Sequence, residues 1–234
     1  MNKVSRLGLA YKNLYNSLAG RHPYQRPWHH QWAAVSELHK RLKRLAPSIS
    51  GEILDVGCGE KPYKKWFVNA SSYTGCDVFH GSEVDVVVGQ EDPLPFEDSS
   101  FDAIICLEVI EHVESMQHTL NEMERVLKSG GLMIVSFPFL YNEHGAPGDF
   151  RRLTKYYAKN LFLGYGRPCV KTLGGVGSTL SLLALNWLEV AINQRKATRM
   201  LKGAVLPVWL TFCLIVNLFG KLMDSMDNTD KFYH

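Results

Sequence analysis

Apolar and polar positions along this chain follow two rhythms, and the change falls near residue 155. Between residues 50 and 140, short apolar or β-branched runs predict strands over 52–56, 72–76, 84–88, 101–106 and 132–137, the last stopped by Pro138. Helical spacing lies between and before them. Trp32, Val35, Leu38, Leu42 and Leu45 share one side of a helix over 31–45, which Pro47 and Gly51 end. Met116, Leu120, Met123 and Leu127 do the same over 116–127, closed by Ser129-Gly130-Gly131. Residues 62–67 form a short helix, with Pro62 suited to its first turn. Strands separated by helices predict an α/β fold, a doubly wound, mostly parallel sheet, with ligands beyond the carboxyl ends of its strands. Past residue 155 the pattern predicts a helix over 156–163, a sixth strand over 170–173, a glycine loop at 174–177 and two strongly apolar helices over 178–192 and 204–223. Residues 1–30 lack a period and read as an arm. The expected organisation is an N-terminal arm and cap helix over 1–48, a cofactor-binding core over 49–175, and an apolar helical segment over 176–234.

Composition changes this picture little. A net charge of +3 on 234 residues is too weak to indicate nucleic-acid binding, and no nucleic-acid partner is expected. The five cysteines have no C-x-x-C spacing, so neither a zinc site nor a disulfide framework is indicated, and no metal is expected. The N-terminus is too broken by charge to read as a signal peptide, and a reducing, cytoplasmic setting is expected.

The strongest local signal is Ile53-Leu54-Asp55-Val56-Gly57-Cys58-Gly59, a buried strand running into a glycine turn. A dinucleotide site would want a third glycine where Pro62 stands, and Pro62 removes an N–H from a helix start that would serve phosphate. No G-K-[ST] follows, which excludes a P-loop. A nucleoside ligand without phosphate remains, and S-adenosylmethionine fits. Asp55 would help hold its ammonium group and the turn amides its carboxylate. Asp77, ending the second strand, would accept the ribose hydroxyls. Taken singly, Asp55 reads equally as a cap and Asp77 as a loop carboxylate.

These residues, with Leu94-Pro95-Phe96-Glu97-Asp98-Ser99-Ser100-Phe101-Asp102, Glu108-Val109-Ile110-Glu111-His112-Val113 and Glu124-Arg125-Val126-Leu127-Lys128-Ser129-Gly130-Gly131, resemble a class I S-adenosylmethionine-dependent methyltransferase of the type 11 group. The resemblance covers about residues 50–140 and implies the Rossmann-like methyltransferase fold. It implies that Asp55, Gly57, Cys58 and Gly59 line the methionine part, that Asp77 and Val78 take the ribose and adenine edge, that Gln90 or Glu91 meets the adenine amino group, and that Cys106 and Leu107 lie beneath the cofactor. Lys61 stands where the family has its third motif glycine. The tract from His144 to Thr154 resembles members placed near cell-envelope or saccharide biosynthesis. The resemblance also implies a closing hairpin of strands six and seven. The seventh would just be starting at residues 230–234, leaving the sheet a strand short or the piece truncated.

Methyl transfer from a sulfonium needs an aligned acceptor, and a base only where the acceptor keeps a proton of high pKa. His112 is one candidate base; its alternative is to open the next helix with Glu111. His144 is another, with Asp149 as its orienting carboxylate, Arg151 as a contact for an acidic acceptor, and Tyr141 close by in sequence. Their alternative is a loop held by an Asp–Arg pair. The acceptor is expected to be a small molecule or an envelope saccharide, free or lipid-linked.

Residues 203–220 carry no charge, and Arg195, Lys196, Arg199 and Lys202 make a basic link between the two apolar helices. The alternatives are a helical insertion packed on the domain, peripheral membrane contact through 178–223 at the inner face of a membrane, or a span. Two further readings of the whole stay open: a non-catalytic cofactor-binding module at a membrane, and an NAD-dependent reductase.

Overall fold

The computed structural model describes residues 6–20, 22–229 and 231–234. The chain divides into two compact units, one of Arg41–Phe139 with Glu143–Lys171, the other of Met1–Lys40, Leu140–Asn142 and Thr172–His234.

The first unit is built on the strand runs read above. β1 (Ser50–Val56), β2 (Asn69–Asp77), β3 (Val86–Val87), β4 (Phe101–Leu107) and β5 (Leu127–Ser136) form one five-stranded sheet in the order β3-β2-β1-β4-β5. Every pairing is parallel. Leu54, Val56, Ile104 and Cys106 share a core with Leu120, Met123 and Val126 of the helix α3 (Met116–Val126). Their alternation along the strands matches the three-to-four spacing on the helix, so one face of each element is buried. The helix α4 (Lys155–Phe162) starts where Thr154 accepts a hydrogen bond from the Tyr157 amide at 3.2 Å. Arg125 fixes the 94–98 turn. Its guanidinium donates to the carbonyls of Leu94 and Phe96 at 2.8 and 2.9 Å and to Asp98 at 2.7 Å.

Several boundaries differ from expectation. Residues 62–67 make only a 3-10 turn over Lys64–Trp66, because Lys61 takes a left-handed backbone (φ 47°) and β2 begins at Asn69. The third strand shortens to two residues. β5 begins at Leu127, pairing with Phe101, and the register slips before Ala103, with Gly130 at φ 77° absorbing the irregularity. Residues 170–173 form no strand, and among the described residues the sheet ends at β5.

The second unit is helical. It contains α1 (Arg6–Ala19), the first part of α2 (Trp32–Leu45), α5 (Val176–Gln194), α6 (Lys196–Ala204) and α7 (Leu206–Met226). α5 and α7 run antiparallel through small residues. A Cβ on Gly177 would fall 2.2 Å from the Gly220 carbonyl oxygen, and Ser181 Oγ donates to the Val216 carbonyl at 3.0 Å. Asp224 and Asp227, near the end of α7, accept from the Ser178 and Val176 amides at 2.9 and 3.1 Å, satisfying open donors at the start of α5. Leu185, Leu206, Trp209, Leu210 and Cys213 pack with Ala19 of α1.

Two helices here depart from the sequence reading. The aperiodic arm contains α1, where Tyr15 and Ala19 turn inward while Leu9, Leu14 and Leu18 are exposed, so its apolar residues show no single face. The basic link folds into α6, and Lys202 is buried against Glu189, over the rings of Tyr15 and Trp209. Lys202 therefore presents no charge to a headgroup. The side chains of Lys196 and Arg199 lie outside the described residues, and Arg195 is exposed.

Candidate active site

The parallel sheet sends β1, β2, β4 and β5 to one edge, and each strand end carries part of the site. After β1, Gly57 and Gly59 adopt left-handed backbones (φ 70° and 50°). The amides of Gly57 and Cys58 donate to the Cys76 carbonyl at 2.8 and 3.1 Å, stitching the turn to β2. A Cβ on Gly57 would sit 2.3 Å from Val109 Cγ2, whereas one on Gly59 would meet nothing within 4 Å among the described residues. The first glycine is therefore needed for packing, and the second leaves space in front of β1.

Asp55 is buried in β1, beside Gly75 of β2 and Ile105 of β4, and accepts a hydrogen bond from the Tyr73 hydroxyl at 2.7 Å. Burial lifts its carboxyl to about 7, against the opposing effects of Tyr73 and Lys61. Asp77 accepts from the Gly59 amide at 2.9 Å and from the Phe79 amide at 3.0 Å. Each of its oxygens keeps a second lone pair. Val78 and Phe79 follow, and Phe79 is 78% exposed, an apolar platform directly after the carboxylate. Cys58 is buried in the turn, and Cys106 and Leu107 are buried at the end of β4.

Lys61 carries a feature the sequence reading missed. Its side chain is only 3% exposed and pairs with Asp85, which also accepts from the Gly75 amide at 2.7 Å. The lysine stem lies where a Cβ on Gly75 would be 2.3 Å away, so this glycine makes room for it. Gln90 donates from Nε2 to the His112 carbonyl at 2.5 Å, which leaves its amide oxygen as the acceptor end, and Glu91 accepts from the Ser115 amide at 3.2 Å.

The loops after β4 and β5 build the other half. Glu108 turns the chain with a left-handed backbone (φ 57°) and accepts from Ser136 Oγ at 2.6 Å. His112 Nε2 then meets His144 Nε2 at 3.1 Å, and Glu111 Oε1 lies 3.7 and 3.9 Å from these two nitrogens. Glu111 is fully buried, neither carboxylate oxygen has a hydrogen-bond partner among the described residues, and burial with the nearby Glu108 charge lifts its carboxyl to about 8. Sequence reasoning named Glu111 as a helix-opening neighbour of His112; the burial of a glutamate beside histidine was the missed signal.

Asp149 is chelated by Arg152 at 2.5 and 2.8 Å, which holds its carboxyl well below the usual range. It also accepts from the His144 amide at 2.9 Å and faces His144 Nδ1 at 3.4 Å. Arg151 differs from the acceptor contact expected of it. Its guanidinium donates to the carbonyls of Ile110, Val113 and Glu114, bracing the His112 loop. Tyr141 belongs to the other unit, where its hydroxyl accepts from Gln31 Nε2 at 2.7 Å.

Residues 54–135 match the family described as a methyltransferase domain, type 11. Over 175 residues the chain is 27% identical to the 27-O-demethylrifamycin SV methyltransferase of Amycolatopsis mediterranei, covering 65% of this chain and 64% of that one. A probable S-adenosylmethionine-dependent methyltransferase of Mycolicibacterium smegmatis is 31% identical over 107 residues, 41% of this chain and 42% of its own. Among solved structures, the [4+2]-cyclase SpnF superposes with a TM-score of 0.53 at 20% identity over 92% of each chain, a likeness of fold. The chain spans between 18% and 64% of the length of the first curated relatives it matches.

Proposed function

Because residues 54–135 are a methyltransferase domain whose cofactor is S-adenosylmethionine, we propose that the whole chain transfers the cofactor's methyl group to a hydroxyl oxygen of a small-molecule or saccharide acceptor. The residues fit the cofactor: Gly59 fronts open space, Asp77 keeps lone pairs for two hydroxyls, and Val78 and Phe79 offer an apolar surface to a purine. Bound S-adenosylmethionine supplies a sulfonium methyl, which leaves as a neutral thioether forms while the acceptor hydroxyl gives up its proton. Asp55 would hold the ammonium group, and the Gly57–Gly59 turn the carboxylate. The observation that carries an oxygen acceptor is the convergence of His112, His144 and Glu111. Such a cluster is needed to take or stabilise the loss of a hydroxyl proton and is superfluous for a nucleophile without one. The similarity to a methyltransferase named for an O-demethylated small molecule supports the same choice.

S-adenosylhomocysteine binding by calorimetry and methyl-donor turnover on hydroxylated acceptors test this. His144→Ala is expected to lower turnover at least a hundredfold while leaving the dissociation constant within about twofold. Equal turnover in variant and parent would remove the histidine cluster from the chemistry.

We also propose that the helical unit rests on a lipid surface and presents a lipid-linked acceptor at the inner face of a membrane. Val208, Phe212, Ile215, Phe219 and Leu222 form an exposed row along α7, and Leu180, Leu183, Trp187 and Val190 a second along α5. α7 is long and apolar enough to cross a membrane, yet a third of its most apolar window is buried, which favours lying on the surface. Co-sedimentation with neutral phospholipid vesicles should be lost in the double variant Trp187→Glu with Phe219→Asp. Equal sedimentation of parent and variant would refute the contact.

A further inference from the structure

We propose that Glu111, His112 and His144 bind a divalent first-row transition-metal cation through Glu111 Oε1 and the two imidazole Nε2 atoms. Tautomers come first. His112 Nδ1 lies 2.5 Å from the Gly148 carbonyl oxygen, and a carbonyl only accepts, so Nδ1 carries the hydrogen and Nε2 the lone pair. His144 Nδ1 lies 3.4 Å from Asp149 Oδ2, so in the tautomer with its hydrogen on Nδ1 that hydrogen faces a carboxylate chelated by Arg152 and Nε2 keeps its lone pair. Carboxylate and carbonyl partners on the far nitrogen are the usual supports of metal-binding histidines. In that tautomer the two Nε2 lone pairs lie 3.1 Å apart, beside a buried carboxylate whose oxygens have no hydrogen-bond partner among the described residues. Three electron-pair donors placed this way are within reach of one cation.

The spacing suits a metal. Donor separations of 3.1, 3.7 and 3.9 Å define a triangle whose corners are all about 2.1 Å from one point. Zinc bonds to imidazole nitrogen and carboxylate oxygen are of that length. Two imidazoles and one carboxylate are donors of borderline softness, suited to zinc, manganese or iron and poorly to magnesium or calcium. Three protein donors leave positions open for an acceptor oxygen, whose hydroxyl pKa falls on coordination. The cation's purpose rests on the methyl-transfer reading; its binding does not.

The test is calorimetric titration of the chelator-treated full chain with Zn2+ and with Mn2+, run beside a separate titration with S-adenosylhomocysteine. One cation of either metal per chain is expected, with affinity falling at least tenfold in both His144→Ala and Glu111→Gln. His144 is partly exposed, so its variant guards against loss of folding at the buried Glu111, and unchanged S-adenosylhomocysteine affinity shows that the variants are folded. No saturable binding of either metal, or parent affinity retained by a folded variant at either position, overturns the site. A chain that binds the cation but no S-adenosylhomocysteine would keep the site and overturn the methyl-transfer reading instead.

Discussion

Cofactor affinity should rise with pH across neutrality, and Asp55 sets the midpoint. Its carboxyl titrates near 7 because burial outweighs the Tyr73 hydrogen bond and the Lys61 charge. The cofactor's ammonium group prefers the carboxylate, so binding selects the ionised fraction. For a pKa of about 7 that fraction is about one eleventh at pH 6 and about three quarters at pH 7.5. S-adenosylhomocysteine should therefore bind about eightfold more weakly at pH 6, a difference of roughly 1.3 kcal/mol. Calorimetry in two buffers of different ionisation heat also reads the released protons, close to one per site at pH 6 and about a quarter at pH 7.5. Tyr73→Phe removes a hydrogen bond that favours the ionised form and should move the midpoint up; Asp55→Asn should flatten the profile. A parent affinity that is flat between pH 6 and 7.5, with no proton released, would refute the role of Asp55. The effect on folding has the opposite sign. The folded carboxyl holds its proton to a higher pH than the unfolded one, about 3.9. This group's contribution to stability in the cofactor-free protein is therefore full below pH 4 and falls as pH rises toward 7.

Gly57→Ala should cost roughly 2–4 kcal/mol of stability in urea unfolding, since it adds left-handed strain to a 2.3 Å clash with Val109; a loss under 1 kcal/mol would show that the turn shifts freely. Gly59→Ala meets no atom within 4 Å and should unfold close to the parent while weakening S-adenosylhomocysteine at least tenfold; unchanged affinity would remove the ligand from that space. The Lys61–Asp85 pair should respond unequally. Asp85→Ala strands a buried ammonium and is expected to cost roughly 3–5 kcal/mol. Lys61→Met leaves a carboxylate that is 47% exposed and should cost about 1 kcal/mol or less, and equal losses would deny the asymmetry.

The sheet was legible because strand runs, glycine turns and helix spacing agreed with one another over residues 50–140. The parts that were not legible share a cause: the sequence shows what a side chain is, and tertiary structure decides what it meets. Lys61 reads as a solvent residue in a motif that wants glycine, yet Gly75 on the next strand makes room for its stem. Arg151 reads as a charge waiting for an acidic ligand. The irregular 110–114 turn, however, leaves carbonyls without regular partners, and a guanidinium fork can satisfy several at once. α1 and α6 were hidden because each buries a narrow edge while apolar residues remain on its outer side.

The histidine pair lies between these cases, and topology explains it. His112 and His144 were each readable as a candidate, 32 positions apart, with nothing in the sequence to join them. Once β4 and β5 are neighbours in a parallel sheet, with Cys106 opposite Val135 and Leu107 opposite Ser136, the loops that leave them start side by side at the same edge. β1 and β2 deliver the glycine turn and Asp77 to that edge by the same rule, Val56 lying opposite Cys76. The Gln90 side chain, bonded to the His112 carbonyl, then ties the loop after β3 to the histidine loop. The glycine-turn half and the histidine half of the candidate site are therefore consequences of one strand order, and the loops need supply only the side chains.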